Sequence, residues 1–297
     1  MWSAFAVTGI WAVSTFASAR GAQHLGGISA NLVRIALAIL PLTLGALLLG
    51  LTPWTTLHYT GANWFLLSGV VGMGVCDILA LQAYARLGAR IPSLVVNVTA
   101  PLTAATIGWL WLAERLGARE ALALVTILTG VVLVLRPRAA QPVDRLGLCY
   151  AAASGATFAG ATVMSRLGYR LAVEAGTPIH WLDATILRLL AGLLFTMLAF
   201  ALTSVVGRAW RDGPGRWRQA LPWLAVNAML GPSLGMAIFQ YALLTNTAHA
   251  VHAIVATLPV FVMLLAWCCG SERPDRTGVG GTVLSVLGVL ALVSGQH

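Results

Sequence analysis

The sequence predicts an all-α membrane protein of ten transmembrane helices, built as two inverted five-helix repeats. Three observations carry that expectation: a composition that only lipid can solvate, apolar windows of spanning length along the whole chain, and one stretch spelled twice. Of the 297 residues, 59% are hydrophobic and 9% charged, with mean hydropathy +0.85. A water-soluble domain carries charge on about a quarter of its residues. The loops between the windows are too short to hold a soluble domain of ordinary size. Activity must therefore reside within the bilayer, which excludes most enzyme classes.

A spanning helix needs ~20 mostly apolar residues, and the windows that meet this run over 1–19, 29–50, 63–85, 91–112 and 119–135 in the first half. The second half follows with 146–165, 181–206, 220–244, 249–270 and 278–295. The first run ends in Ala17-Ser18-Ala19, which mimics a secretory cleavage site. No basic segment precedes it and it has a repeat counterpart, so it is read as the first span.

The duplicated spelling is "APLTAATIGWLWLAER" at Ala100 to Arg115 and "LPVFVMLLAWCCGSER" at Leu258 to Arg273. One ungapped offset of 158 aligns Pro101 with Pro259, Gln82 with Gln240, Trp109 with Trp267 and Gly130 with Gly288. With small shifts Arg34 aligns with Arg188, and Gly9 to Arg20 with Gly155 to Arg166. The expected units are a first repeat over 1–138, a linker over 139–145 and a second repeat over 146–297. Five spans is an odd number, so the second unit enters the membrane from the opposite side. An inverted pair has two similar packings, one open to each side, which is the mechanical basis of alternating access.

Each half resembles one EamA-type unit of the drug/metabolite transporter superfamily: an Arg early in the second span, a fourth span with a mid-helix Pro and an acidic exit, and a fifth span with a Gly in its second half. The resemblance covers almost the whole chain. It implies a central cavity lined by spans one to four and six to nine, with spans five and ten at the periphery.

Pro101 and Pro259 each remove a backbone hydrogen bond at mid-membrane and free the carbonyls of Asn97 and Val255. Such carbonyls must face protein or water. Spans three and eight carry Gly72 and Gly74, and Gly231-Pro232, which loosen the helices. These six residues are the gate or hinge candidates. Gly281, Ser285 and Gly288 form a small-residue face expected to pack inside the bundle rather than as a dimer seam; the chain is read as monomer or homodimer.

Ionisable groups inside the bilayer cost at least ~2.5 kcal/mol at the helix centre, so each needs a partner or a function. Arg34 and Asp77 lie at matched depth and can pair. Alternatively Asp77, which has no acidic counterpart because Gly235 takes its place, faces the cavity to meet a cationic group or a coupling proton. Arg34 and Arg188 are close enough to helix ends to snorkel, with Asp183 as a local partner for Arg188, or they form gate or anion contacts. Asn97, Gln82, Gln240 and Asn227 are amides that can bond a ligand or bridge helices.

No metal and no cofactor is expected. His249 and His252 lack nearby further ligands and are read as interfacial, and Cys76, Cys149, Cys268 and Cys269 as small core residues. The net charge of +9 is all arginine and is read as headgroup anchoring, not as a nucleic-acid footprint. Loops one, three, five, seven and nine hold most arginines, Arg20, Arg86, Arg136 and Arg208 among them. The other side has only Arg115, Arg119, Arg166 and Arg170. The positive-inside rule then places both termini outside, whereas the resemblance implies termini inside.

These readings converge on a secondary transporter in a bacterial inner membrane. It exports or exchanges a small metabolite, such as an amino acid or another amphipathic, nitrogen-bearing compound. A phosphate-binding loop requires a lysine and there is none, so the energy comes from a gradient, such as protons, or from exchange. The alternatives are a lipid flippase or scramblase, and an intramembrane enzyme.

Overall fold

The computed structural model describes residues 2–51, 54–88, 90–113, 117–134, 144–205, 214–258, 260–261 and 276–293. Pro259, Cys268, Cys269 and the Glu114-Arg115 and Glu272-Arg273 exits lie outside the described residues. Among those described, the chain is helical throughout and has no strand.

Helix α1 runs over Trp2–Leu48 but is broken at Gly26, whose φ of 71° and ψ of 174° leave the helical region. Only glycine takes that conformation without penalty. A short 3₁₀ turn, Thr55–His58, leads to α2, which comprises Ala62–Gly69, a π-helical stretch Val70–Cys76, and Asp77–Leu87. Helix α3 is Arg90–Leu112 and α4 is Ala118–Val134. Helix α5, Arg145–Glu174, starts on an Asp144 cap whose Oδ1 accepts from Leu146 N at 3.0 Å. Then come α6, Trp181–Val205, and α7, which joins Pro214–Ala228, a second π stretch Met229–Gly235, and Met236–Thr245. Helix α8 is Ala248–Val255 and α9 is Arg276–Val293. Six of these helices are long and apolar enough to cross a membrane.

The expected loosening of the third and eighth spans takes a definite form: both gate glycine clusters lie in the π stretches. Proline at 232 has no N–H to donate, and glycine at 72, 74, 231 and 235 lets neighbours approach, so the regular ladder gives way to the wider turn. Side chains from α1 satisfy carbonyls in both stretches. Asn31 Nδ2 donates to Met73 O at 2.8 Å, and Trp11 Nε1 donates to Gly231 O at 3.3 Å. Pro101 is buried in α3, which continues through it.

The segment of α1 before Gly26 packs on α7 and α8, and α5 packs on α2 and α3. Close approaches mark both seams. A side chain at Gly21 would meet Leu224, and one at Gly155 would meet Val96 and Thr99. Helices α4 and α9 pair with each other: a side chain at Gly130 would meet Gly281 and Ser285, and one at Gly288 would meet Ala123 and Ile127. The small-residue face of the last helix is therefore covered inside the bundle, as its spacing predicts.

Several expected boundaries move. Helix α5 extends well past residue 165, so Arg166 and Arg170 lie on it rather than in a loop. Arg166 Nη1 donates to Leu243 O at 2.8 Å and Arg170 Nη1 to Leu112 O at 3.4 Å. Each cation sits at a helix C-terminus, where leftover carbonyls and the dipole favour it. Cys149 is exposed on the outer face of α5, not buried in the core as expected; Cys76 is buried.

Candidate functional site

A cavity of ≈ 140 Å³ lies between the two halves of the chain. An engineered apolar cavity of about that size admits benzene. Its walls come from both segments of α1 and from α2, α3, α5, α6, α7 and the α8 region; among the described residues, α4 and α9 contribute nothing. This is the lining the resemblance implies.

Asp77 begins the α-helical turn that follows the first π stretch, and pairs with Arg34 across α1 and α2. Arg34 also donates from Nε to Asn31 Oδ1 at 2.9 Å and from Nη1 to Asn227 Oδ1 at 3.3 Å. The two amides hold their oxygens toward the guanidinium because their nitrogens are engaged elsewhere. Asn31 Nδ2 donates to Met73 O and to Thr196 Oγ1 at 3.0 Å. Asn227 Nδ2 donates to Ser14 Oγ at 2.7 Å and Ser18 Oγ at 2.6 Å. Arg34 is thus a buried, fully engaged cation, and the snorkelling alternative does not hold for it. Asp77 both pairs with Arg34 and lines the cavity.

Arg188 differs more from expectation. It is 0% exposed and lines the cavity, so it does not snorkel. The reason is tertiary: α6 packs against the glycine face of α2 so closely that a side chain at Gly69 would overlap the Arg188 backbone. Its side chain is held in the bundle, and a Cβ at Gly72 would sit 2.9 Å from Nη2. Among the described residues Nε, Nη1 and Nη2 have no hydrogen-bond partner. Asp183, the expected local partner, therefore does not bond Arg188, and Asp183 Oδ1 is likewise buried without a partner.

Of the predicted amides, Asn97 and Asn227 line the cavity, while Gln82 and Gln240 do not. Asn97 Nδ2 donates to Ser93 O at 2.7 Å. Gln240 is fully buried with Nε2 3.5 Å from Ser165 Oγ, a bridge between α5 and α7. The gate candidates Gly72, Gly231 and Pro232 line the cavity; Gly74 instead faces Phe195 of α6.

The histidines are not interfacial. His249 and His252 are 3% and 1% exposed. His252 Nε2 lies 2.9 Å from Thr162 Oγ1, and its ring meets Phe158 edge-on at 4.6 Å. Trp11, Phe158 and Phe239 complete this aromatic cluster with centroid separations of 5.3 to 5.8 Å. Among the described residues no group of His, Cys, Asp and Glu could hold a metal.

Sequence reasoning missed Asn31, Ser14, Ser18, Trp11 and Phe158. Asn31 stands one turn before Arg34, and Ser14 and Ser18 share a helix face, so polar residues at helical spacing in an apolar span were the available signal. Trp11 and Phe158 gave none, because an aromatic residue in a greasy helix reads as packing.

Comparison with known proteins agrees with this architecture. The model of the EamA-like transporter family matches residues 1–136 and, separately, 145–294. A crystal structure of another protein superposes with TM-score 0.69 at 20% sequence identity, covering 98% of this chain and 93% of that one, which shows a shared fold. Among curated proteins none matches the sequence.

Proposed function

This chain belongs to the EamA-like transporter family, and on that premise we propose that it is a secondary transporter. It exports or exchanges a small metabolite, such as an amino acid or another amphipathic, nitrogen-bearing compound, by alternating access. The observation that carries this reading is the cavity between the halves, walled by both of them and fitted with ionisable groups in an otherwise apolar bundle. Groups of that kind, costly to bury in a bilayer, mark substrate and ion pathways.

The working architecture is ten spans in two inverted repeats, 1–138 and 146–297, joined by 139–145. The break at Gly26 supports counting α1 as two spans, since an unbroken helix of 47 residues would run ~70 Å, more than twice the hydrocarbon thickness. The paired π stretches support the repeat. So does the reciprocal packing, in which the first helix of each unit lies on the third and fourth of the other. Rocking about these seams would expose the cavity to each side in turn. A bacterial inner membrane is the expected location.

Asp77 is the candidate coupling group. It lines the cavity and forms an ion pair with Arg34, so protonation would remove one of the ties that hold α2 to α1. The test is counterflow in proteoliposomes loaded with a panel of small metabolites, repeated across a pH gradient with wild type and Asp77→Asn. Accumulation that depends on the protein supports the transporter reading, and loss of its pH dependence in the variant supports the coupling role. Absence of flux for every solute would count against the first; full pH-dependent uptake by Asp77→Asn would count against the second.

A further inference from the structure

The two halves carry equivalent arginines at the cavity but do not equip them equally. Around Arg34 stand Asp77, Asn31 and Asn227. The repeat offsets put Gly235, Thr185 and Gly69 at the corresponding positions of the other half; Gly69 lies against the Arg188 backbone, Thr185 stands one turn before Arg188, and Gly235 lies against the Trp11 ring. Two of the three have no side chain. Thr185 spends its hydroxyl on Trp181 O of its own helix at 2.7 Å. Arg188 therefore keeps the charge of its counterpart without its hydrogen bonds: all three guanidinium nitrogens are buried without a hydrogen-bond partner among the described residues.

A buried guanidinium without a hydrogen-bond partner is expensive. Among the described residues the cavity it lines has two arginines and one aspartate, a formal excess of one positive charge. The same lining includes the apolar and aromatic side chains of Trp11, Phe158, Met236, Val255 and Leu258, beside hydroxyls and amides such as Ser14 and Asn97.

We infer that Arg188 is the recognition site for an anionic ligand, a small monocarboxylate with an apolar or aromatic body. The carboxylate plays toward Arg188 the part that Asp77 plays toward Arg34. A planar guanidinium offers five donors in a fork that matches a carboxylate in two-point geometry. The apolar body lies against Trp11 and Phe158. One bound carboxylate brings the cavity to neutrality, so the occupied state loses the cost that the empty state carries. This rests on the transporter reading and adds the charge and shape of what is carried.

Benzoate is the probe, with benzamide as its neutral isostere and benzylammonium as its cation, titrated into purified full-length protein by calorimetry and thermal shift. Benzoate should bind saturably and raise the melting midpoint, while benzamide and benzylammonium bind at least tenfold more weakly. Arg188→Gln should weaken benzoate at least tenfold, the range for a lost charge-assisted bond. It should also raise the midpoint of the ligand-free protein, because an unpartnered buried charge is gone. Arg188→Lys should retain part of the affinity, and Arg170→Gln, which removes an exposed arginine paired with Glu174, all of it. No benzoate binding, equal binding of benzoate and benzamide, or wild-type affinity in Arg188→Gln would overturn the inference. Flux of neutral or cationic solutes through a protein that ignores benzoate would defeat the anion site and leave the transporter standing. Benzoate binding without flux of any solute would do the reverse.

Discussion

Asp77→Asn removes the one negative charge beside Arg34 while keeping the side-chain volume, and the geometry sets the size of the effect. Arg34 is 7% exposed and has three partners: Asp77, Asn31 Oδ1 at 2.9 Å and Asn227 Oδ1 at 3.3 Å. Deleting one member of a buried ion pair costs about 3–5 kcal/mol because the other is left uncompensated. Here two amide oxygens remain and asparagine can still accept, so the loss should lie at the low end, about 3 kcal/mol. Arg34→Gln alone should cost a similar amount. The double variant Arg34→Gln/Asp77→Asn carries no charge and keeps amide hydrogen bonding, so it should lie within about 1 kcal/mol of wild type. The cycle therefore falls well short of additivity. Reversible unfolding in mixed micelles at fixed detergent composition measures all four proteins. If Asp77→Asn unfolds within about 0.5 kcal/mol of wild type, or the two single losses simply add, the pair does not hold α1 to α2 and the reasoning fails.

Two further outcomes are expected. Gly69→Leu should cost at least ~2 kcal/mol, because any side chain there overlaps backbone of Arg188 and the helices must part; Gly160→Ala, which meets open space, should leave the thermal midpoint unchanged or raise it, and equal losses would contradict the seam. Asp144, outside the spans, is held below the ordinary carboxylate range, first by its hydrogen bond from Arg86 and then by the backbone N–H of Gly147. A depressed folded-state pKa gives stability that is present above the unfolded value of about 3.9 and is lost as pH falls through the folded value. Melting curves taken from about pH 5 downward should therefore fall further for wild type than for Asp144→Asn, and parallel curves would contradict the role of the Arg86 contact.

Much of the arrangement was legible from composition and repetition. Apolar windows locate helices because the bilayer requires every backbone group to be satisfied within the segment. Matched depth was enough to bring Arg34 and Asp77 together. Depth along a helix says nothing about rotation around it, however, and that is where the readings of Arg188, His249 and His252 departed from the structure. All three stand near helix ends, where snorkelling or interfacial exposure is the ordinary expectation, and all three are turned inward against neighbouring helices.

The sequence alone determined the solvent, the helical content and the duplication, because those depend on hydropathy and spacing along one dimension. Only the tertiary structure decided which polar groups are satisfied. Asn31, Ser14 and Ser18 became the support of an ion pair, and Gln82 was set outside the cavity. Whether a buried charge has a partner depends on atoms far away in the chain. Arg34 and Arg188 look alike in sequence and differ because α7 and α2 bring Asn227 and Asp77 to the first, while α2 sets Gly69 and Gly72 against the second.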